Sequence, residues 1–160
     1  MQVLIMRHGD AALDAASDAQ RPLTQCGNEE SRQIAAWVNS QSLDVEQVLV
    51  SPYLRAVQTL GVIREVLTLP EGQEVMPELT PGGDAALVAC YLQALAKEGC
   101  ASVLLISHLP LVGYLVAELC PGQCAPMFAT SAIACVDLDM ASGQGKLDWQ
   151  VSPSQLMAKA

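Results

Sequence analysis

Short apolar runs that stop abruptly at polar or charged residues constrain this chain more than any other feature. Val3-Leu4-Ile5-Met6 stops at Arg7-His8-Gly9, Val48-Leu49-Val50 stops at Ser51-Pro52, and Val103-Leu104-Leu105-Ile106 stops at Ser107-His108-Leu109-Pro110. An aliphatic run without polar alternation is how a strand buried on both faces reads, and such strands belong to parallel sheets covered by helices. Between them stand stretches of helical spacing, Thr24 to Val38, Pro52 to Leu67, Asp84 to Lys97 and Leu109 to Leu119. This alternation predicts the α/β class, a three-layer α/β/α sandwich around a mostly parallel central sheet. Ile133 to Leu138 and Leu147 to Val151, separated by Ala141-Ser142-Gly143-Gln144-Gly145, read as a closing hairpin. Leu69 to Gly83 reads as a long loop with one short strand around Val75. No repeat, linker or low-complexity tract interrupts the pattern, and 160 residues fit a single domain over 1–160.

In open sheets of this class, ligands sit just beyond the carboxyl ends of the strands. The chain has two histidines, His8 and His108, and both stand at such ends, so the fold is expected to bring them together. Ser51 is expected to be an N-cap with Pro52 at the first helical position, which places Arg55 one turn into a helix. Ser107 and Pro110 mark a second helix start near His108. Two helix N-termini opening toward one spot make an anion site before any side chain is counted. Of five arginines, Arg7 and Arg55 fall at these strand ends, and Arg21 lies in Arg21-Pro22-Leu23-Thr24, which leads to a helix that Thr24 caps. Guanidinium forks match phosphate oxygens two at a time. A chain of net charge −9 that collects arginine along one edge does so for a bound anion. Arg32 and Arg64 lie mid-helix and read as solvated; a surface salt bridge is the alternative reading of Arg21.

Composition closes off other classes of function. A hydrophobic content of 51% against 16% charged residues excludes disorder. No apolar stretch approaches the roughly eighteen residues of a membrane span, and the acidic balance without a basic run argues against nucleic acid as a partner. The N-terminal apolar run is too short for an export signal, so a cytoplasmic protein with six reduced cysteines is expected. Cys120 and Cys124 form the only close cysteine pair, but a zinc site needs two further ligands, and neither histidine has one at ligand spacing. Neither a metal nor a cofactor is expected.

The same residues, taken in order, resemble the histidine phosphatases related to phosphoglycerate mutase. Arg7-His8-Gly9 is similar to that family's signature, and Leu23-Thr24 with Gly27 resembles its next element. Ser51-Pro52-x-x-Arg55-Ala56-x-Gln58-Thr59 resembles its second arginine motif, and Ser107-His108-x-Pro110-x-x-Gly113 its second histidine motif. The short chain and the Arg21-Pro22-Leu23-Thr24 stretch are most similar to the small phosphohistidine phosphatases of bacteria. The resemblance implies a phosphoglycerate mutase-like fold, a nucleophile at His8, phosphate contacts from Arg7, Arg55 and His108, and an added contact from Arg21. It also implies a phosphohistidine-bearing protein as substrate, such as a histidine phosphotransfer domain or a phosphocarrier of two-component signalling. Two alternatives remain open: a small-molecule phosphomonoesterase or mutase of the same superfamily, and a non-catalytic module that binds phosphorylated partners. Larger members supply a carboxylic acid that protonates an alcohol leaving group. Glu78 and Asp84 are the candidates here, and neither sits in a clear match to that element. A phosphohistidine leaves as imidazole, which tolerates a missing acid.

Overall fold

The computed structural model describes residues 1–158; the last two residues of the expected 1–160 domain, Lys159 and Ala160, lie outside the described residues. Six strands form one sheet: β1 Gln2–Arg7, β2 Gln47–Val50, β3 Glu74–Val75, β4 Ser102–Ser107, β5 Ile133–Leu138 and β6 Gly145–Val151, in the order β3-β2-β4-β1-β5-β6. β1, β2, β3 and β4 run parallel, while β5 pairs antiparallel with both β1 and β6.

Period-two alternation divides the apolar strands between two cores. Val3 and Ile5 of β1, with Val103 and Leu105 of β4, face α3 (Ala85–Lys97) and α4 (Leu111–Leu119). Leu4 and Met6, with Leu104 and Ile106, face α1 (Gln25–Ser40) and α2 (Leu54–Val66), where the short α5 (Pro153–Ala158) also packs. Both faces of the central strands are therefore covered, which is why their sequences read as unbroken apolar runs. This is the expected three-layer α/β/α sandwich.

The helix caps meet expectation at Thr24 and depart from it at Ser51, while Asp84, read from the sequence as a candidate acid, is a third cap. Thr24 accepts the Gly27 amide at 3.0 Å to start α1, and Asp84 accepts the Leu87 amide at 3.0 Å to start α3. Ser51, expected as the N-cap of α2, is not one: the cap position belongs to Tyr53, and the helix begins at Leu54. The physical reason is that the Ser51 hydroxyl is engaged with His108, 2.8 Å away, and Pro52 and Tyr53 form a bend before the helix. Arg55 consequently sits in the first turn of α2 rather than one turn into it.

Sheet register sets the site. Arg7 pairs with Ser107 across the parallel β1–β4 ladder, and Val50 pairs with Ile106 across β2–β4. The ladder continues one step further, with the His8 amide donating to Ser107 at 2.9 Å and the Ser51 amide donating to Ile106 at 3.1 Å. The chain therefore leaves three adjacent strands at the same edge, through His8, Ser51 and His108.

Candidate active site

That edge opens into a cleft of about 380 Å³ whose lining includes Arg7, His8, Arg21, Arg55 and His108. All five residues singled out from the sequence therefore meet in one place. Glu78 and Asp84 do not line it: Asp84 is the α3 cap, and Glu78 lies on a short 3-10 turn, Pro77–Leu79. The carboxylates that do line it are Asp10 and Asp18.

His8 is buried, with its Nδ1 2.7 Å from the Gly9 carbonyl. A carbonyl can only accept, so Nδ1 carries the proton and Nε2 carries the lone pair. Arg55 Nε donates to that lone pair at 3.3 Å. Burial, and then the charges of Arg55, Arg7 and Arg21, push the imidazole pKa down to about 4 against the opposing Gly9 bond. The ring is thus uncharged at neutral pH, in the tautomer that presents Nε2 to the cleft's cations.

His108 lies with its ring centroid 4.9 Å from that of His8. Its Nε2 meets the Ser51 hydroxyl, whose oxygen already accepts the Tyr53 amide at 3.2 Å. A hydroxyl that accepts from Tyr53 can still donate its own hydrogen to Nε2, and in that tautomer the proton of the neutral ring sits on Nδ1. Burial, followed by the positive charge of its neighbours, lowers the His108 pKa to about 3. Its Nδ1 is buried and has no hydrogen-bond partner, and the same is true of Arg7 Nε. Buried donors without partners are rare and costly in a folded protein. Here two of them belong to residues of one cleft, and both suit an anion.

The arginines are held by backbone and by one another's counterions. Arg7 Nη1 donates to the Phe128 carbonyl at 2.9 Å. Its pKa is lowered by burial first, and then by the charges of Arg55 and Arg21. Arg21 Nε donates to the Ala12 carbonyl at 2.9 Å, and its Nη1 reaches Asp18 at 3.3 Å. Arg21 therefore lines the cleft and also forms the surface salt bridge of its alternative reading. Arg55 is 3% exposed and spans from His8 to Asp18, while Tyr53 lies under its guanidinium and against the His108 ring.

The supporting shell explains the rest of the motifs. Thr59 donates to the Arg55 carbonyl at 2.8 Å and accepts the Gly9 amide at 3.0 Å, tying α2 to the turn after β1. Gln58 accepts the Leu23 amide at 2.8 Å. A Cβ at Gly27 would sit 2.3 Å from the Asp10 carbonyl, and one at Gly9 would sit 2.9 Å from the Gly27 carbonyl. Only glycine permits α1 to approach that turn so closely. Sequence reasoning missed Asp18 and the Phe128 carbonyl. Asp18 carries one legible signal, its position three residues before Arg21; a backbone acceptor carries none.

Among the described residues, no group of three or more His, Cys, Asp or Glu side chains is placed to hold a metal ion, and no helix is long and apolar enough to cross a membrane.

An α/β sandwich that gathers two uncharged imidazoles and three guanidinia at the carboxyl edge of its central strands defines a class. The model of the histidine phosphatase superfamily (branch 1) matches residues 3–80. The chain is 65% identical over 161 aligned residues to the phosphohistidine phosphatase SixA of Escherichia coli (strain K12), covering 100% of this chain and 99% of that protein. It is 41% identical over 128 residues to a phosphohistidine phosphatase SixA homolog of Haemophilus influenzae, covering 74% of this chain and 77% of that one. Among solved structures, the protein histidine phosphatase SixA complexed with tungstate matches with a TM-score of 0.96 and 65% identity, over 98% of this chain and 99% of that one. The chain belongs to the histidine phosphatase superfamily.

Proposed function

We propose that this chain is a phosphohistidine phosphatase that hydrolyses phosphohistidine on a partner protein through a phosphohistidine intermediate at His8. The observation that carries the reading is the His8 tautomer: Nδ1 fixed on the Gly9 carbonyl and the Nε2 lone pair facing Arg55. The likeness to a phosphohistidine phosphatase over the whole chain supports it.

In the first step, His8 Nε2 attacks phosphorus in line, an N–P bond forms to His8, and the N–P bond to the substrate imidazole breaks. The departing imidazole takes a proton from water and leaves neutral. Once Nε2 is bonded to phosphorus it has no lone pair for Arg55, so Arg55 Nε turns its hydrogen to a phosphoryl oxygen. Arg7 Nε and His108 Nδ1, the two buried donors without partners, serve the other oxygens, and Arg21 closes the mouth. Positioned donors that act on charge as it spreads over the equatorial oxygens are the main contribution a protein makes to phosphoryl transfer. In the second step water attacks the phosphoenzyme, releasing orthophosphate and restoring His8.

The leaving group selects among substrates. Glu78 and Asp84 stand outside the cleft, Asp10 takes the Thr24 hydroxyl, and Asp18 is bound by two arginines. None is a free acid for an alkoxide, whereas imidazole needs none. The partner is accordingly a protein bearing phosphohistidine, a histidine phosphotransfer domain or a phosphocarrier met in the cytoplasm. The test compares kcat/KM on a phosphohistidine protein, a phosphoserine peptide and 3-phosphoglycerate. A preference for phosphohistidine of about 10² or more is expected, the scale of one lost proton transfer. Equal efficiencies, with the ester rates alone collapsing in Glu78→Gln, would overturn the reading.

A further inference from the structure

We propose that Asp18 limits how tightly this cleft holds a phosphoryl group: its carboxylate is an internal anion that shares Arg21 and Arg55 with that group and keeps the product phosphate from being trapped. The proposal rests on the reading of the cleft as a phosphohistidine phosphatase site.

Asp18 belongs to none of the sequence motifs; it opens a short 3-10 turn, Asp18–Gln20, on the segment between β1 and α1. Its Oδ1 accepts from Arg21 Nη1 and its Oδ2 from Arg55 Nη2, both at 3.3 Å, while its backbone carbonyl accepts from Arg55 Nη1 at 2.6 Å. The Arg55 side chain is 4% exposed and the Asp18 side chain 56% exposed. A buried catalytic cation is thus partnered at the mouth of the cleft by a carboxylate that stays in contact with water. Every Asp18 bond to Arg55 uses the Nη edge, which leaves Nε facing His8. The carboxylate therefore holds the guanidinium in the orientation that the reaction needs while neutralising part of its charge.

The other carboxylate of the lining behaves differently. Asp10 Oδ2 takes the Thr24 hydroxyl at 2.7 Å and is occupied with the start of α1. Asp18 is also no proton donor: although its slight desolvation works the other way, the Arg21 hydrogen bond and then Arg55 hold its carboxyl below the ordinary range.

A fixed negative charge beside two of the cleft's cations opposes any phosphoryl group that binds there, the product orthophosphate as well as the phosphoryl group of a partner protein. The partner's other contacts add to its affinity without changing that repulsion. Asp18 in this way lowers the hold on both and keeps the product from being trapped after hydrolysis.

The experiment measures orthophosphate binding by calorimetry, and product inhibition on a phosphohistidine protein, for the native chain, Asp18→Asn and Asp18→Glu. Asparagine keeps one oxygen acceptor where aspartate offers two, and removes the charge. Orthophosphate is expected to bind Asp18→Asn about tenfold tighter, with product inhibition strengthened equally. Asp18→Glu, which restores the charge, is expected to keep the native phosphate affinity. Binding to Asp18→Asn that is unchanged or weaker overturns the proposal, because a merely structural anchor gives that result. Tighter phosphate binding that Asp18→Glu shares overturns it too. These failures leave the phosphoenzyme at His8 untouched, whereas a chain that forms no phosphohistidine there fails as a phosphatase and leaves the calorimetric comparison standing.

Discussion

His8 must be uncharged to attack phosphorus and must lie among cations to be useful. Burial meets the first demand and three guanidinia meet the second, and each lowers the His8 pKa, to about 4. The sign for stability follows. Between the ordinary imidazole value of 6.5 and about 4, the unfolded chain takes up a proton that folded His8 refuses, so the stability present above pH 6.5 is lost as pH falls through that window. His108, at about 3, acts in the same direction. Proton NMR titration is expected to show neither ring charging above pH 5, with thermal stability level above pH 6.5 and falling below it; a ring titrating near 6.5 would contradict the lowering by burial. Arg55 Nε donates to His8 Nε2, and in the proposed reaction it turns to a phosphoryl oxygen after transfer. Arg55→Ala is expected to lower kcat by about 10² or more, the scale of one lost transition-state donor, read by steady-state rates on a phosphohistidine protein. A change of less than about threefold would place Arg55 outside the reaction.

At the scale of elements, what the sequence revealed depended on length and period. The strands β1, β2 and β4 and the helices were legible because burial on both faces leaves unbroken apolar runs and burial on one face leaves a 3.6-residue period. The 3-10 turns of three residues and the six-residue α5 are too short to leave either mark. Ser51 was misread as a cap because Ser-Pro before a helical pattern is a good start signal, and nothing local shows that its hydroxyl is claimed by His108 at 57 positions' remove. Likewise Asp18 sits in a run of alanines and aspartates, where only contact with Arg55 sets it apart. The contact of α1 with the turn after β1 was half legible, as the glycines of two motifs. Gly27→Ala would drive a methyl group into the Asp10 carbonyl at 2.3 Å, in backbone that cannot yield as a side chain can. The variant is expected to lose roughly 1–3 kcal/mol of stability and most of its activity, since Asp10 and His8 share that turn. Native melting temperature and rate in Gly27→Ala would show that α1 does not hold the site in place.

Across the whole molecule, topology decides what the site can accept. Placing β4 between β1 and β2 brings residues distant in sequence to one edge, so that His8, Ser51 and His108 leave the sheet side by side. The two cores then fix that edge from both faces. The lining of the cleft also takes in Leu13, Pro81 and Thr130, and Leu13 is 88% exposed. An open edge of this kind suits the phosphoryl group that the proposed partner protein presents. Everything in the proposed reaction turns on the covalent step at His8. A phosphohistidine protein labelled with radioactive phosphate is mixed with the enzyme and quenched in alkali within the first turnover. An alkali-stable, acid-labile label is expected on the native chain, mapping to the peptide that contains His8, and none on His8→Ala, which is expected to stay folded and still bind tungstate. Turnover by His8→Ala, or a label on any other residue during native turnover, would contradict it.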